Sequence, residues 1–295
     1  MTAAWGIDHP VAPIRRALVR PPDRSFAISD PRPWGYPERP DLARARREHA
    51  ALVDLLLEHG IAVERHGTPL EEKADAIFVF DPVLVTSRGT VLLRMGKSLR
   101  RGEEDALAST LERLGVPILG RLEGNARAEG GDLLRLDAAT LVIGLGERTN
   151  REGARQLARL LAPESIEVET FDLPFHRGPA SCLHLRSLVS LLDDDLAVAY
   201  RPLLPARLVH RLESRGEIVD VPDEELDSQG PNVLALAPRR CLVLEGSPET
   251  RRRLERRGCR IVSYRGDEIS HKAGGGPTCL VLPLRRAPTT AERER

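Results

Sequence analysis

Apolar residues in this chain recur in two alternating rhythms, short runs of two or three and longer stretches at helical spacing, and the order of the rhythms repeats. The first short run is Ala17-Leu18-Val19, ended by Arg20-Pro21-Pro22. From Asp41 to His59, Leu42, Ala45, His49, Leu52, Leu55 and Leu56 share one helical face and Gly60 stands where a C-terminal cap belongs, which predicts a helix. Ile61-Ala62-Val63 reads as a strand, and Ile77-Phe78-Val79 with Val91-Leu92-Leu93, about Ser87-Arg88-Gly89, as a hairpin. The same order returns with Leu107, Leu111 and Leu114 on a helix, Ile118-Leu119 as a strand, and Leu133-Leu134 with Leu141-Val142-Ile143 as the hairpin. A third round runs from an Asn150 cap through Leu157 and Leu161, Ile166 and Val168, to Leu188-Val189 and Leu196 to Val198. The fourth has Leu208 and Leu212, Ile218-Val219, and Val233-Leu234 with Leu242-Val243-Leu244. The fifth opens at Ser247-Pro248 and passes Leu254 and Ile261-Val262 to reach Leu280-Val281-Leu282.

The unit is therefore strand, strand, helix, strand in an α/β fold, and its hairpins begin near Ile77, Leu133, Leu188, Val233 and Leu280. The last hairpin lacks a second strand, and Ala17-Leu18-Val19 is a spare strand able to supply it. Closing the ring this way leaves no unit with an unpaired edge. Residues 1–295 are expected to form one domain, irregular over 1–13 and ending in a polar, frayed tail over 284–295. The segment from Asp23 to Pro40 lacks periodicity and reads as a long loop able to act as a lid, with Trp34 and Tyr36 as its anchors.

Composition narrows the partners. Lys+Arg and Asp+Glu both number 44, so no global field draws the chain to nucleic acid or to an anionic membrane. The arginine-dense stretch Arg251 to Arg257 is interleaved with Glu249 and Glu255 and reads as a solvated helix face. No apolar run approaches the roughly 18 residues of a membrane span, and the start carries no basic-then-apolar signal pattern. Cys182, Cys241, Cys259 and Cys279 form no CxxC pair and no ligand spacing, so neither a zinc site nor a disulfide framework is indicated. A small-molecule partner and a reducing cytoplasmic compartment are the expectation.

Gly274-Gly275-Gly276-Pro277-Thr278-Cys279 sets one cysteine after a flexible glycine run, a way to present a thiol at a cleft. An inert core cysteine after a turn is the plainer reading of that segment alone. Other chemistry-bearing residues occupy similar places in other units: Asp81 after Phe78-Val79-Phe80, Glu129-Gly130-Gly131-Asp132 before Leu133, and His184 before Leu188. Equivalent positions in a ring meet at its axis. A thiol, a histidine and carboxylates brought together there would satisfy the needs of covalent catalysis.

Phe78 to Leu84, Arg100-Arg101-Gly102-Glu103, Glu129 to Asp132, Arg148-Thr149-Asn150, Leu183-His184-Leu185 and Gly275 to Cys279, taken in order, resemble the dimethylarginine dimethylaminohydrolase branch of the guanidino-group-modifying, pentein-fold superfamily. The resemblance implies a five-bladed α/β propeller, in agreement with the repeat. It implies Cys279 as nucleophile, His184 as proton-transfer residue and Glu129 as the acid that orients it. Asp81 would grip the substrate guanidinium, Asp75 would lie near the substrate, Arg100 and Arg148 would take its carboxylate, and the position of Ala273 would supply a backbone contact. A planar cation needs carboxylate acceptors and a carboxylate is well held by arginine forks. No metal or organic cofactor is implied, and a homodimer is compatible with the family.

Phe80 departs from the family pattern, which usually has Glu there. Arg186 stands where arginine deiminases and amidinotransferases tend to carry an acid. With Phe80 expected to cover methyl carbons, the sequence favours Nω-methylated arginine as substrate, with arginine deimination or amidino transfer as alternatives. A non-catalytic ring used for binding is the rival of a different class.

Overall fold

Five three-stranded sheets carry the fold in the computed structural model, which describes residues 5–177 and 183–288. The chain opens with β1 (Ile14–Val19), α1 (Leu42–Glu58) and β2 (Ala62–Arg65). A second unit comprises β3 (Val83–Val85), β4 (Thr90–Leu92), α2 (Glu103–Arg113) and β5 (Ile118–Arg121). The third has β6 (Leu133–Arg135), β7 (Thr140–Leu145), α3 (Arg151–Leu161) and β8 (Glu167–Asp172), and the fourth β9 (Val189–Asp193), β10 (Leu196–Ala199), α4 (Ala206–Glu213) and β11 (Glu217–Asp220). After β12 (Leu234–Ala237), β13 (Arg240–Leu244), α5 (Pro248–Arg256) and β14 (Arg260–Tyr264), the chain ends on α6 (Pro277–Leu280) and β15 (Leu282–Arg286).

Each sheet has one plan. A central strand pairs antiparallel with its hairpin partner and parallel with the strand that follows the helix, as β7 does with β6 and β8. A parallel pair needs a crossover, and the amphipathic helix supplies it while covering the sheet. In α1, Asp41 accepts the Arg44 amide, and Ala45, Leu52 and Leu56 are fully buried. The spare N-terminal strand does complete the last sheet: β1 pairs antiparallel with β15, Leu18 opposite Leu282, and parallel with β2. Neighbouring units share their cores, as where Leu18, Leu282 and Leu284 pack with Val79, Leu92, Leu107 and Leu111. The result is the expected five-bladed, pseudo-symmetric α/β propeller. Among the described residues no helix is long and apolar enough to cross a membrane.

Several expected strands start later than their apolar runs. Ala74–Ile77 is a 3-10 turn, and the strand begins only at Val83. Cys279 sits on the helical turn α6 rather than in a loop running into a strand at Leu280. These runs are apolar because the segment leading into each hairpin is buried near the axis, where Ile77, Val79 and Leu280 are at most 2% exposed. The tail expected to fray from 284 is still strand there: Leu284 is fully buried and Arg286 nearly so. Only residues 289–295 of that expectation lie outside the described residues, as does Cys182.

Candidate active site

The segments leading into the hairpins face one cavity of about 370 Å³, lined by Asp75, Phe78, Asp81, Glu129, His184 and Cys279, and closed on one side by Trp34 and Gly35 of the 23–40 loop. Cys279 lies in α6, entered through Gly276. A Cβ at Gly276 would come within 2.4 Å of the Asn232 side chain, so the glycine lets that amide approach. Asn232 Oδ1 accepts the Thr278 amide (3.1 Å) and hydroxyl (2.9 Å), and its Nδ2 reaches Cys279 Sγ at 3.7 Å. Burial, with Asp81 nearby, pushes the thiol above its ordinary range, while His184, Asn232 and the Gly276 backbone pull it down.

His184 and Glu129 border the same cavity as the thiol. Glu129 is fully buried, and its Oε2 lies 2.8 Å from His184 Nε2. Its Oε1 accepts the Lys97 amide (2.9 Å) and lies 3.8 Å from Arg148 Nη1. Burial alone would raise Glu129, but the hydrogen bond and charge of His184, with Arg100 and Arg148, carry it down to about 2. The carboxylate is therefore ionised throughout the physiological range and favours an imidazolium beside it. A Cβ on Gly131 would lie 2.3 Å from His184 Nδ1, so the Glu-Gly-Gly-Asp segment seats the ring against bare backbone. Asp132 anchors the next residue, accepting the Leu185 amide at 3.1 Å.

Asp81 is buried, with Oδ1 accepting the Gly131 amide (2.9 Å) and Oδ2 receiving Arg100 Nη1 (2.6 Å). Asp75 accepts from the Tyr36 hydroxyl (2.8 Å) and from Lys97 Nζ (2.7 Å). Arg148 and Ala273 line the same cavity. Arg100, expected to face the substrate carboxylate, also borders it, yet its guanidinium is engaged by Glu103, Asp81 and the Phe78 carbonyl at 2.6–3.2 Å. At 3% exposure it is part of the wall that fixes Asp81. Among the described residues no group of three His, Cys, Asp or Glu side chains converges as a metal site.

Residues 32–286 match the family model for eukaryotic N,N-dimethylarginine dimethylhydrolase. The chain belongs to the dimethylarginine dimethylaminohydrolase family. It is 28% identical over 269 residues to the N(G),N(G)-dimethylarginine dimethylaminohydrolase of Pseudomonas aeruginosa, covering 91% of this chain and 98% of that one. An uncharacterized protein of Aeropyrum pernix is 33% identical over 270 residues, 90% of this chain and 93% of its own. A solved structure of the Pseudomonas aeruginosa enzyme complexed with citrulline superposes with a TM-score of 0.75 at 26% identity, over 92% of this chain and 99% of that chain.

Against the pattern expected for this family, Phe80 is the clear correction. Phe80 does not border the catalytic cavity; it lines a separate small chamber on the other side of the floor, and the Arg186 guanidinium lies 4.8 Å from its ring centre. Phe80 and Asp81, adjacent in the chain, project to opposite sides, so once Asp81 faces the cavity Phe80 cannot cover a substrate methyl. Apolar surface in the cavity comes instead from Phe78 and Leu183. Lys97, His176 and Arg177 also line the cavity and carried no motif. Asn232 was overlooked too, although the repeat could have found it, since it precedes β12 as Asp81 precedes β3.

Proposed function

We propose that this protein is a cysteine-dependent hydrolase of N-substituted guanidines that converts Nω-methylated arginine to citrulline and methylamine or dimethylamine. The observation that carries the reading is that Cys279, the His184–Glu129 pair and the carboxylates Asp75 and Asp81 border one cavity of arginine-accommodating size, in a chain of this family. Asp81 receives the guanidinium edge, Asp75 lies beside the amino-acid end, and Arg148 attracts its carboxylate. With Arg100 held by Glu103 and Asp81, Arg148 carries most of that last task.

In the reaction the Cys279 sulfur attacks the central guanidinium carbon. The tetrahedral adduct expels the substituted amine as His184 gives it a proton, leaving an amidino group on sulfur. His184 then takes a proton from a water that attacks the same carbon, and collapse returns the thiolate and the ureido product. Glu129 keeps the imidazole aimed and favours its protonated form. A substrate cation beside Asp81 offsets one of the influences that hold the thiol neutral, so the nucleophile is activated when substrate is present.

Methylated arginine is favoured because Phe78 and Leu183 offer apolar surface in the cavity that holds the thiol, where a buried methyl contributes on the order of 1 kcal/mol. The test is to incubate the enzyme and Cys279→Ser with arginine, mono- and dimethylarginine, agmatine, and glycine plus arginine, measuring ureido product and released amine. Methylated arginines are expected to give the highest kcat/KM, and Cys279→Ser to lose at least about a thousandfold. Higher kcat/KM with arginine and release of ammonia would reassign the substrate, guanidinoacetate would indicate amidino transfer, and turnover by the serine variant above about a tenth would remove the covalent step.

A further inference from the structure

On the far side of the floor from Cys279, the axis of the ring holds a chamber of about 70 Å³. It adjoins a second space of about 20 Å³, and Arg135, Arg186 and Arg286 border both. The remaining wall includes Pro10 and apolar side chains such as Phe80, Leu234 and Leu282; among the described residues no acidic one lines either space. Arg186 makes no hydrogen bond among the described residues: its guanidinium rests over Phe80, and its buried Nε has no partner. Arg286, 7% exposed, donates from Nη1 to the Ala12 and Ala235 carbonyls (2.6 and 3.0 Å), with no other side-chain hydrogen bond among the described residues. Arg135 turns to the carbonyls of Asp137 and Ala138.

Two guanidiniums, Arg286 buried and Arg186 partly so, with no carboxylate bonded to either among the described residues, are an unbalanced arrangement. Burying a charge is costly unless a counter-charge or full hydrogen bonding offsets it, and a ring face of Phe80 offsets only part. Burial accordingly depresses Arg186 to about 10 and Arg286 to about 9, with Arg186 adding its repulsion to Arg286. The chamber far exceeds the roughly 10–15 Å³ that one water needs, so it has room for a small ion.

We propose that this chamber is an anion site, distinct from the catalytic cavity, which takes a small, weakly hydrated inorganic monoanion of the halide or nitrate class between Arg186 and Arg286. The apolar wall selects against strongly hydrated dianions such as sulfate, which would lose more hydration than two donors return. Arg186 lies close enough to Cys279 and Asp81 for their charges to act on it, so an occupied chamber adjoins the catalytic floor without sharing its residues.

The experiment follows thermal unfolding of the full-length protein as sodium bromide replaces sodium gluconate at constant ionic strength. A saturable rise in Tm of the wild-type protein is expected, of the form set by one site with the anion bound only to the folded state, with nitrate acting similarly and sulfate not. Arg186→Met is expected to be at least as stable as wild type in gluconate and to lose the bromide response. Leu234→Phe, which fills the chamber and leaves both arginines in place, should also lose it, while Arg148→Gln in the catalytic cavity should keep it. A response that is absent or non-saturable in wild type, equal in Leu234→Phe, or lost in Arg148→Gln would overturn the proposal.

Discussion

The imidazole of His184 is held on two sides, by the Glu129 carboxylate at Nε2 and by the bare backbone of Gly131 at Nδ1. A methyl at residue 131 cannot fit without moving that ring or the amide that binds Asp81. Gly131→Ala is therefore expected to lower kcat about a hundredfold while KM changes little, since displacing a reacting group by about 1 Å costs that much. Steady-state kinetics with a methylated arginine checks it, alongside a melting curve to establish folding. An unchanged kcat would mean that the ring position does not depend on this contact. At this scale the residue types and the His184–Glu129 pairing were legible, and the partners of Arg100 were not. Cys279, His184 and Glu129 stood out by chemistry and by place in the repeat. That Arg100 is bound by Glu103, three residues on, depends on burial, which drives Glu103 up to about 7 even against the arginine beside it.

The 23–40 loop reaches the cavity as an element fastened from outside itself. Lys97 Nζ donates to the Trp34 carbonyl (2.9 Å) and to Asp75 (2.7 Å) and lies 4.8 Å from the Trp34 ring centre, while the Tyr36 hydroxyl bonds Asp75. Lys97→Met keeps much of the stem and removes the ties. It should raise KM about tenfold with a smaller loss of kcat, and make the 23–40 loop cut faster in limited proteolysis; equal cleavage rates would show the loop to be held by Phe26 and Tyr36 packing instead. Helix starts divide in the same way. Asp41 and Asn150 cap α1 and α3 with their own side chains, a local bond that the residue pattern announces. Ser247 occupies the N-cap position of α5, but the amides of Glu249 and Thr250 go to the carboxylate of Glu225, more than twenty residues earlier, which no local pattern encodes.

For the whole molecule, stability rests on closing the ring with strands from the two ends of the chain. Leu284, fully buried in β15, packs with the first and second units, whereas Leu57 on α1 is 52% exposed. Leu284→Ala should cost about 2–5 kcal/mol and lower Tm, and Leu57→Ala should stay within about 0.5 kcal/mol. Chemical denaturation measures both, and equal costs would show that closure contributes no cooperative core. The sequence by itself determined the unit, its fivefold recurrence, the need for a returning strand and the chemistry placed before four of the five hairpins. All of these follow from periodicity and chain order, which are local properties. Only the tertiary structure decided on which side of the floor each axial side chain projects. Asp81 enters the catalytic cavity and Phe80 the chamber beneath, Arg100 turns into the wall, and Arg186 and Arg286 border one chamber with no carboxylate bonded to either among the described residues. Segments of five units crowd one axis there, so a side chain's direction depends on neighbours from other units, as where the Gly131 amide meets Asp81 and the Ala235 carbonyl meets Arg286, each about fifty residues away in the chain.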